Sequence, residues 1–165
     1  MALRKSAQVA RRVPAPSALD ASSAIQVFGE FTTVAGQFAN TDVIDMIPWP
    51  AGTVPIMLKA MIGDLDSATG VTLDFGILTG LYGAELAEDG STARACGDEF
   101  GANVTTGQAG GAIDVAANLL LGLAPSVKDR SIGLKVEAAP TTLIVGAKIR
   151  VAALFVPVPQ GVAFA

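Results

Sequence analysis

The chain contains no histidine, one cysteine, one tryptophan and one tyrosine. Without histidine it lacks the commonest general base, the commonest zinc ligand and the usual proton shuttle. A single cysteine, Cys96, excludes an intrachain disulfide. The ordinary role of such a residue is a small, partly buried side chain rather than a reactive thiol. Charged residues make up only 16%. No run approaches the ~18 uninterrupted apolar residues of a membrane span, so no membrane partner is expected. Aromatic residues, at 5%, offer few platforms for stacking sugars or bases.

What is present is apolar. Hydrophobic residues account for 51% of 165 residues. That length suits one domain with a core of its own, needing neither disulfides nor metal. The surplus apolar side chains must enter the core or contacts with other subunits. Eighteen glycines and nine prolines, among many Val, Thr, Ala and Ile residues, suit short strands joined by tight turns.

The net charge of −4 conceals an asymmetry. Arg4, Lys5, Arg11 and Arg12 precede the first acidic residue, Asp20. Beyond residue 12, seven basic residues stand against fifteen acidic ones, a net −8. An acidic body is a poor nucleic-acid binder, because phosphate contacts need clustered Lys and Arg. Residues 1–23 read as an arm. Met1–Arg12 has the composition of a short helix, and Pro14 and Pro16 enforce extended geometry after it. No apolar core of a secretory signal is present. Extended, twenty such residues reach roughly 65 Å at ~3.3 Å each.

From residue 24 the pattern becomes alternating, and residues 24–165 read as a β-sandwich domain. Ala24–Ala35 alternates Ile25, Val27, Phe31 and Thr33 with Gln26 and Glu30. A short strand over 42–47 is expected to stop at Pro48-Trp49-Pro50. Thr53–Ile62 places Val54, Ile56, Leu58, Ala60 and Ile62 on one face, and Pro55 requires an edge or a bulge. Val71–Leu78 and Ser131–Ala138 alternate clearly. Residues 112–121 fit a helix or a strand. Thr142–Val156 reads as the longest strand, and residues 79–111, rich in glycine, as a long irregular loop. Seven or eight strands with turns between them predict an antiparallel two-sheet sandwich, jelly-roll-like or immunoglobulin-like.

No complete catalytic motif accompanies this pattern. The glycines of 97–101 and 107–111 lack the Lys-Ser/Thr of a phosphate loop and the dinucleotide fingerprint. No cofactor is called for. Asp64 and Asp66 offer oxygen ligands, but the remainder of a calcium loop is missing, and turn hydrogen bonds are the simpler role. Glu85, Glu88, Asp89, Asp98 and Glu99 suit a solvated loop face. Trp49, between two prolines, fits an interface anchor or a cap on the core. Tyr82 is the best aromatic candidate for surface binding.

Three stretches carry a family resemblance: Asn40-Thr41-Asp42-Val43-Ile44-Asp45 with Pro50-Ala51-Gly52-Thr53; Gly63-Asp64-Leu65-Asp66-Ser67 followed by Val71–Leu78; and Asp129–Val136 with Ala139-Pro140 and the final strand. Over roughly residues 24–157 the chain resembles head decoration (cement) proteins of tailed bacteriophages. The resemblance implies a β-sandwich on the outer surface of a phage head, often a homotrimer, with the major capsid protein and other copies of itself as partners. Arg4, Lys5, Arg11 and Arg12 are then the candidate capsid-binding arm, and Trp49 and Tyr82 the candidate interface residues. The competing readings are another virion component, such as a tail or baseplate module, and a carbohydrate-binding β-sandwich.

Overall fold

The computed structural model describes residues 2–6 and 24–158. The strands are β1 (Leu3–Lys5), β2 (Ile25–Thr32), β3 (Val43–Trp49), β4 (Thr53–Ile62), β5 (Thr72–Leu78), β6 (Gly101–Val104), β7 (Gly111–Asp114), β8 (Arg130–Ala138) and β9 (Lys148–Pro157). A short helix, α1 (Ala117–Leu121), follows β7. The strands form a five-stranded sheet, β1-β3-β8-β5-β6, and a four-stranded sheet, β2-β9-β4-β7.

The pairing is nested. β2 pairs with β9, β3 with β8, β4 with β7 and β5 with β6, all antiparallel. The chain is therefore one long hairpin whose tip lies between β5 and β6. Rolling it up brings β9 against β4 and β8 against β5. This is the jelly roll, the double-sheet solution for eight antiparallel strands. Only β1, parallel to β3, lies outside the scheme.

Inward residues of both sheets make one core. Ile25, Val27 and Phe31 of β2 meet Ile149, Val151, Ala153 and Phe155 of β9, with Leu58, Ala60 and Ile62 of β4 beside them. Ile132, Leu134 and Val136 of β8, with Leu73 and Phe75 of β5, close it from the other sheet. Each Val, Leu, Ile or Phe among them contributes about 1.5–3 kcal/mol when fully buried.

Several boundaries differ from the sequence expectation. Strand β3 continues through Pro48 and Trp49. Among the described residues β1 pairs only with Val43–Asp45, so at Pro48 no described strand lies on that side to need an N–H. β4 is interior, and Pro55 is accommodated by a bulge between Pro55 and Met57. The bulge breaks the alternation, so Ile56 faces out rather than in. β9 begins at Lys148, not Thr142. Gly146, with φ +85°, ends a turn that holds Leu143 and Val145 out of the strand. The ambiguous 112–121 segment divides into β7 and α1, and the 79–111 region contains β6. No helix among the described residues is long and apolar enough to cross a membrane.

Candidate assembly interface

The two outer faces of the sandwich differ. The five-stranded sheet is covered by the chain itself. The connection from Thr79 to Phe100, the tip of the rolled hairpin, folds back over it. Gly97 donates its N–H to the Ile77 carbonyl at 2.9 Å, and Phe100 donates to that of Phe75 at 2.9 Å. Glu99 Oε2 accepts from the Ile77 N–H at 2.9 Å. Gly76 allows this approach, since a Cβ there would overlap the Gly97 carbonyl; Gly133 instead admits the Ile44 carbonyl of the neighbouring β3. Cys96 comes down beside Val43 and Leu78 in a second small apolar cluster, with Leu3 against it. Burial pushes its thiol pKa well up, so the group is inert. Arg94 anchors the cover. Its Nη1 meets Asp45 Oδ2 at 2.5 Å, with both side chains fully buried, and its Nε donates to the Thr79 carbonyl at 2.7 Å. Ser131 Oγ donates to the same Asp45 oxygen at 3.1 Å. Burial raises the Asp45 carboxyl pKa against the opposing pull of Arg94.

The basic residues of the N-terminal segment divide. Leu3–Lys5 is strand, not helix, and its two cations are engaged within the chain. Arg4 Nη2 lies 3.4 Å from Asp42 Oδ2, and Lys5 Nζ lies 2.5 Å from Glu85 Oε1. Ala2 N–H donates to Asp42 Oδ1 at 2.7 Å, and Ser6 Oγ donates to the Met46 carbonyl at 2.5 Å. These contacts fix the segment to β3. Arg11 and Arg12 lie outside the described residues.

Among the described residues, the four-stranded sheet carries no such cover. Register places three rows of side chains on its outer face. One row is Gln26, Leu154 and Met57; the next is Phe28, Ala152, Lys59 and Asp114; the third is Glu30, Arg150, Met61 and Ala112. Phe28 is 52% exposed, Met57 43% and Met61 50%, and Ile56 adds to them at the bulge. Ion pairs are interspersed among these apolar side chains: Glu30 with Lys148 and Arg150 at 2.9 and 2.7 Å, and Lys59 with Asp114 at 3.1 Å. Exposed apolar side chains whose neighbouring charges are already paired make a surface suited to contact with another subunit.

No protein-family model matches the chain, and no curated protein does. Among solved structures, a chain of the capsid of Ralstonia phage GP4 is similar along nearly the whole length: 30% identical, covering 96% of this chain and 100% of that one, with a TM-score of 0.77. The chain belongs to this family of phage capsid proteins. It is a structural component of the virion. The cyanophage Pam1 capsid asymmetric unit holds a second similar chain, 15% identical over 82% of this chain and 86% of that one, with a TM-score of 0.56, which shares the fold.

The other sequence candidates take their places in this capsid protein as follows. Trp49 is 2% exposed, stacks 6.5 Å from Phe155 and donates its Nε1–H to the Thr53 carbonyl at 2.9 Å. It caps one end of the core and presents no anchor to a partner. Tyr82 lies at the surface, lining an open pocket of about 540 Å³ with Ala51, Leu81, Val127, Lys128 and Asp129. Partial burial and the nearby Asp45 charge raise its phenol pKa to about 12. Asp66 is a turn staple. Its carboxylate accepts five backbone N–H groups, from Ala68 and Thr142 on one oxygen and from Gly70, Val71 and Thr141 on the other. Burial opposes its charge, but the N–H groups of Thr142, Thr141, Ala68 and Gly70 prevail and lower its pKa to about 2. Those donors occupy the lone pairs a cation would need, and Asp64 Oδ1 accepts from the Asp66 N–H at 3.3 Å. Among the described residues, no group of three or more ligating side chains is placed to hold a metal.

Sequence reasoning missed Arg94, Asp45 and the exposed Phe28–Met57–Met61 face. The face was in principle legible. Phe28 breaks the polar side of an otherwise clean alternation in β2, as Met57 and Met61 do in β4. The Arg94–Asp45 contact joins residues 49 apart in sequence, and no local signal marks it.

Proposed function

We propose that this capsid protein is a head decoration, or cement, protein that binds the outer surface of the shell and ties neighbouring major capsid subunits together. The carrying observation is the outer face of the four-stranded sheet, which the described residues leave uncovered with Phe28, Met57 and Met61 exposed. Such a face, opposite one that the chain covers itself, is suited to completion by a partner. Family membership supports a capsid subunit as that partner. Other copies of the chain are the second partner, and a trimer is the proposed state. Arg11 and Arg12 are proposed to extend the contact onto an acidic surface of the shell. Arg4 and Lys5 serve instead to hold β1 in place.

The test is stoichiometry and reversible loss. A cement protein is present in hundreds of copies per particle, is released under mild denaturation, and restores the particle's resistance to heat when added back. A copy number in the tens, or localisation to the tail, would transfer the chain to a tail or baseplate role. An Arg11→Glu/Arg12→Glu variant is expected to keep its melting temperature while losing affinity for stripped heads, with the loss greatest at low salt. Undiminished binding would remove the arm from the contact.

A further inference from the structure

Among the described residues the two sheets have four outer edges: β1 and β6 in one, β2 and β7 in the other. Three of them are protected in the ways that keep natural sheets from pairing edge to edge. β1 has three residues and two ion-paired cations. β6 has four and is twisted by Asn103 at φ +49°. β7 has four and ends in the charge of Asp114. β2 is the exception. It runs for eight regular residues, with no proline and no bulge, and β9 is its only described partner. Its one charge, Glu30, is held by Lys148 and Arg150 of the neighbouring strand.

The direction of its free hydrogen-bonding groups follows from the ladder. Thr33 donates its N–H to Ala147, and Gly63 of the β4 side donates to Lys148. Odd-numbered residues of β2 therefore bond to β9, and Gln26, Phe28, Glu30 and Thr32 point their N–H and C=O groups away from the sheet. The same four side chains lie on the outer face, with Phe28 at the centre.

We propose that the β2 edge pairs with β2 of a second copy, antiparallel across a two-fold axis centred on Phe28, joining two four-stranded sheets into one. In that register Phe28 lies opposite Phe28 of the second copy, and Gln26 lies opposite Glu30 at each end. Three hydrogen-bonded residue pairs form, with about six backbone hydrogen bonds. The aromatic pair and the amide–carboxylate pairs are self-complementary, as a two-fold contact requires. Sliding by two residues would set Phe28 against Glu30 or Gln26 and lose both. This two-fold contact uses an edge separate from any contact within a trimer, and it does not depend on where on the particle the chain sits.

The full-length purified chain, with Cys96→Ser as background, tests this apart from any particle. Cα atoms of a hydrogen-bonded antiparallel pair stand about 5.5 Å apart, within disulfide reach. Under mild oxidation at high protein concentration, Phe28→Cys is expected to yield covalent dimer in about tenfold excess over Met61→Cys, which is equally exposed but lies on the interior strand β4. The double variant Gln26→Cys/Glu30→Cys is expected to form a doubly linked dimer, and serves should Phe28→Cys not fold. Phe28→Lys is expected to weaken association of the otherwise unmodified chain about tenfold or more in sedimentation equilibrium, by setting like charges opposite each other. Absence of covalent dimer from both cysteine designs overturns the proposal. So does an equal yield from Met61→Cys, which would indicate face-to-face packing in place of edge pairing.

Discussion

Arg94 and Asp45 meet across the outer face of the five-stranded sheet, both fully buried, although one belongs to the tip of the rolled hairpin and the other to β3. Asp45 Oδ1 and Arg94 Nη2 find no further partner among the described residues, so each charge depends chiefly on the other. Removing one member strands the other in a dry site. Arg94→Met or Asp45→Asn alone is therefore expected to cost about 3–5 kcal/mol in urea unfolding. The double variant Arg94→Met/Asp45→Leu should cost less than either single change. Additive losses would mean that the two residues stabilise the fold independently.

Gly76 sets how closely the cover approaches. Gly76→Ala places a methyl group against the Gly97 carbonyl, and backbone must move to admit it. The expected cost is about 1–3 kcal/mol. Its location is the sharper readout. Amide exchange should quicken at Gly97 and Phe100, which donate to β5, while the four-stranded sheet stays protected. Uniform loss of protection would show that the cover and the core unfold as one unit.

Asp66 is responsible for part of the acid response. Its folded pKa of about 2 lies below the ordinary 3.8. A depressed carboxyl stabilises the fold fully above its unfolded value and loses that contribution as pH falls from about 4 towards 2. Asp66→Asn is expected to melt lower than the parent at pH 7, by roughly 5–15 °C. The gap should narrow between pH 4 and pH 2. A gap that stays constant over that range would mean the carboxylate's charge is immaterial and only its shape matters.

Met57 and Met61 separate folding from assembly. Both are exposed on a strand whose inward residues are all in place. Met57→Glu/Met61→Glu is expected to change stability by no more than about 0.5 kcal/mol per site. Occupancy on stripped heads, measured by quantitative electrophoresis of sedimented particles, should fall about tenfold or more. Full occupancy would release this face from the interface and weaken the cement reading.

The alternation of β2 and β8 was legible because a half-buried strand writes its burial into every second residue: Ile25, Val27 and Phe31 in one, Ile132, Leu134 and Val136 in the other. The same rule misled at Leu143 and Val145. There the apolar alternation continues from β9 into a turn, and only Gly146's left-handed backbone interrupts it. At Pro55 the sequence asked for an edge or a bulge without saying which, or which side chains would turn; the structure has a bulge, and Ile56 is turned outward. Trp49 was open between interface and core until the roll brought Phe155 beneath it.

By itself the sequence determined an all-β sandwich without histidine chemistry or a disulfide, because composition and period-2 patterning are local properties of the chain. It also required the surplus apolar side chains to enter the core or contacts with other subunits. Which of them stay at the surface, only the tertiary structure decided. Nesting β2 with β9 and β5 with β6 sends the 79–100 connection over one face and, among the described residues, leaves the other bare. It sets three short or charged edges beside one long open edge, and it sets Arg94 on Asp45. Each of these depends on contacts between residues far apart in the chain, and pairing across such distances leaves no periodic trace in the sequence.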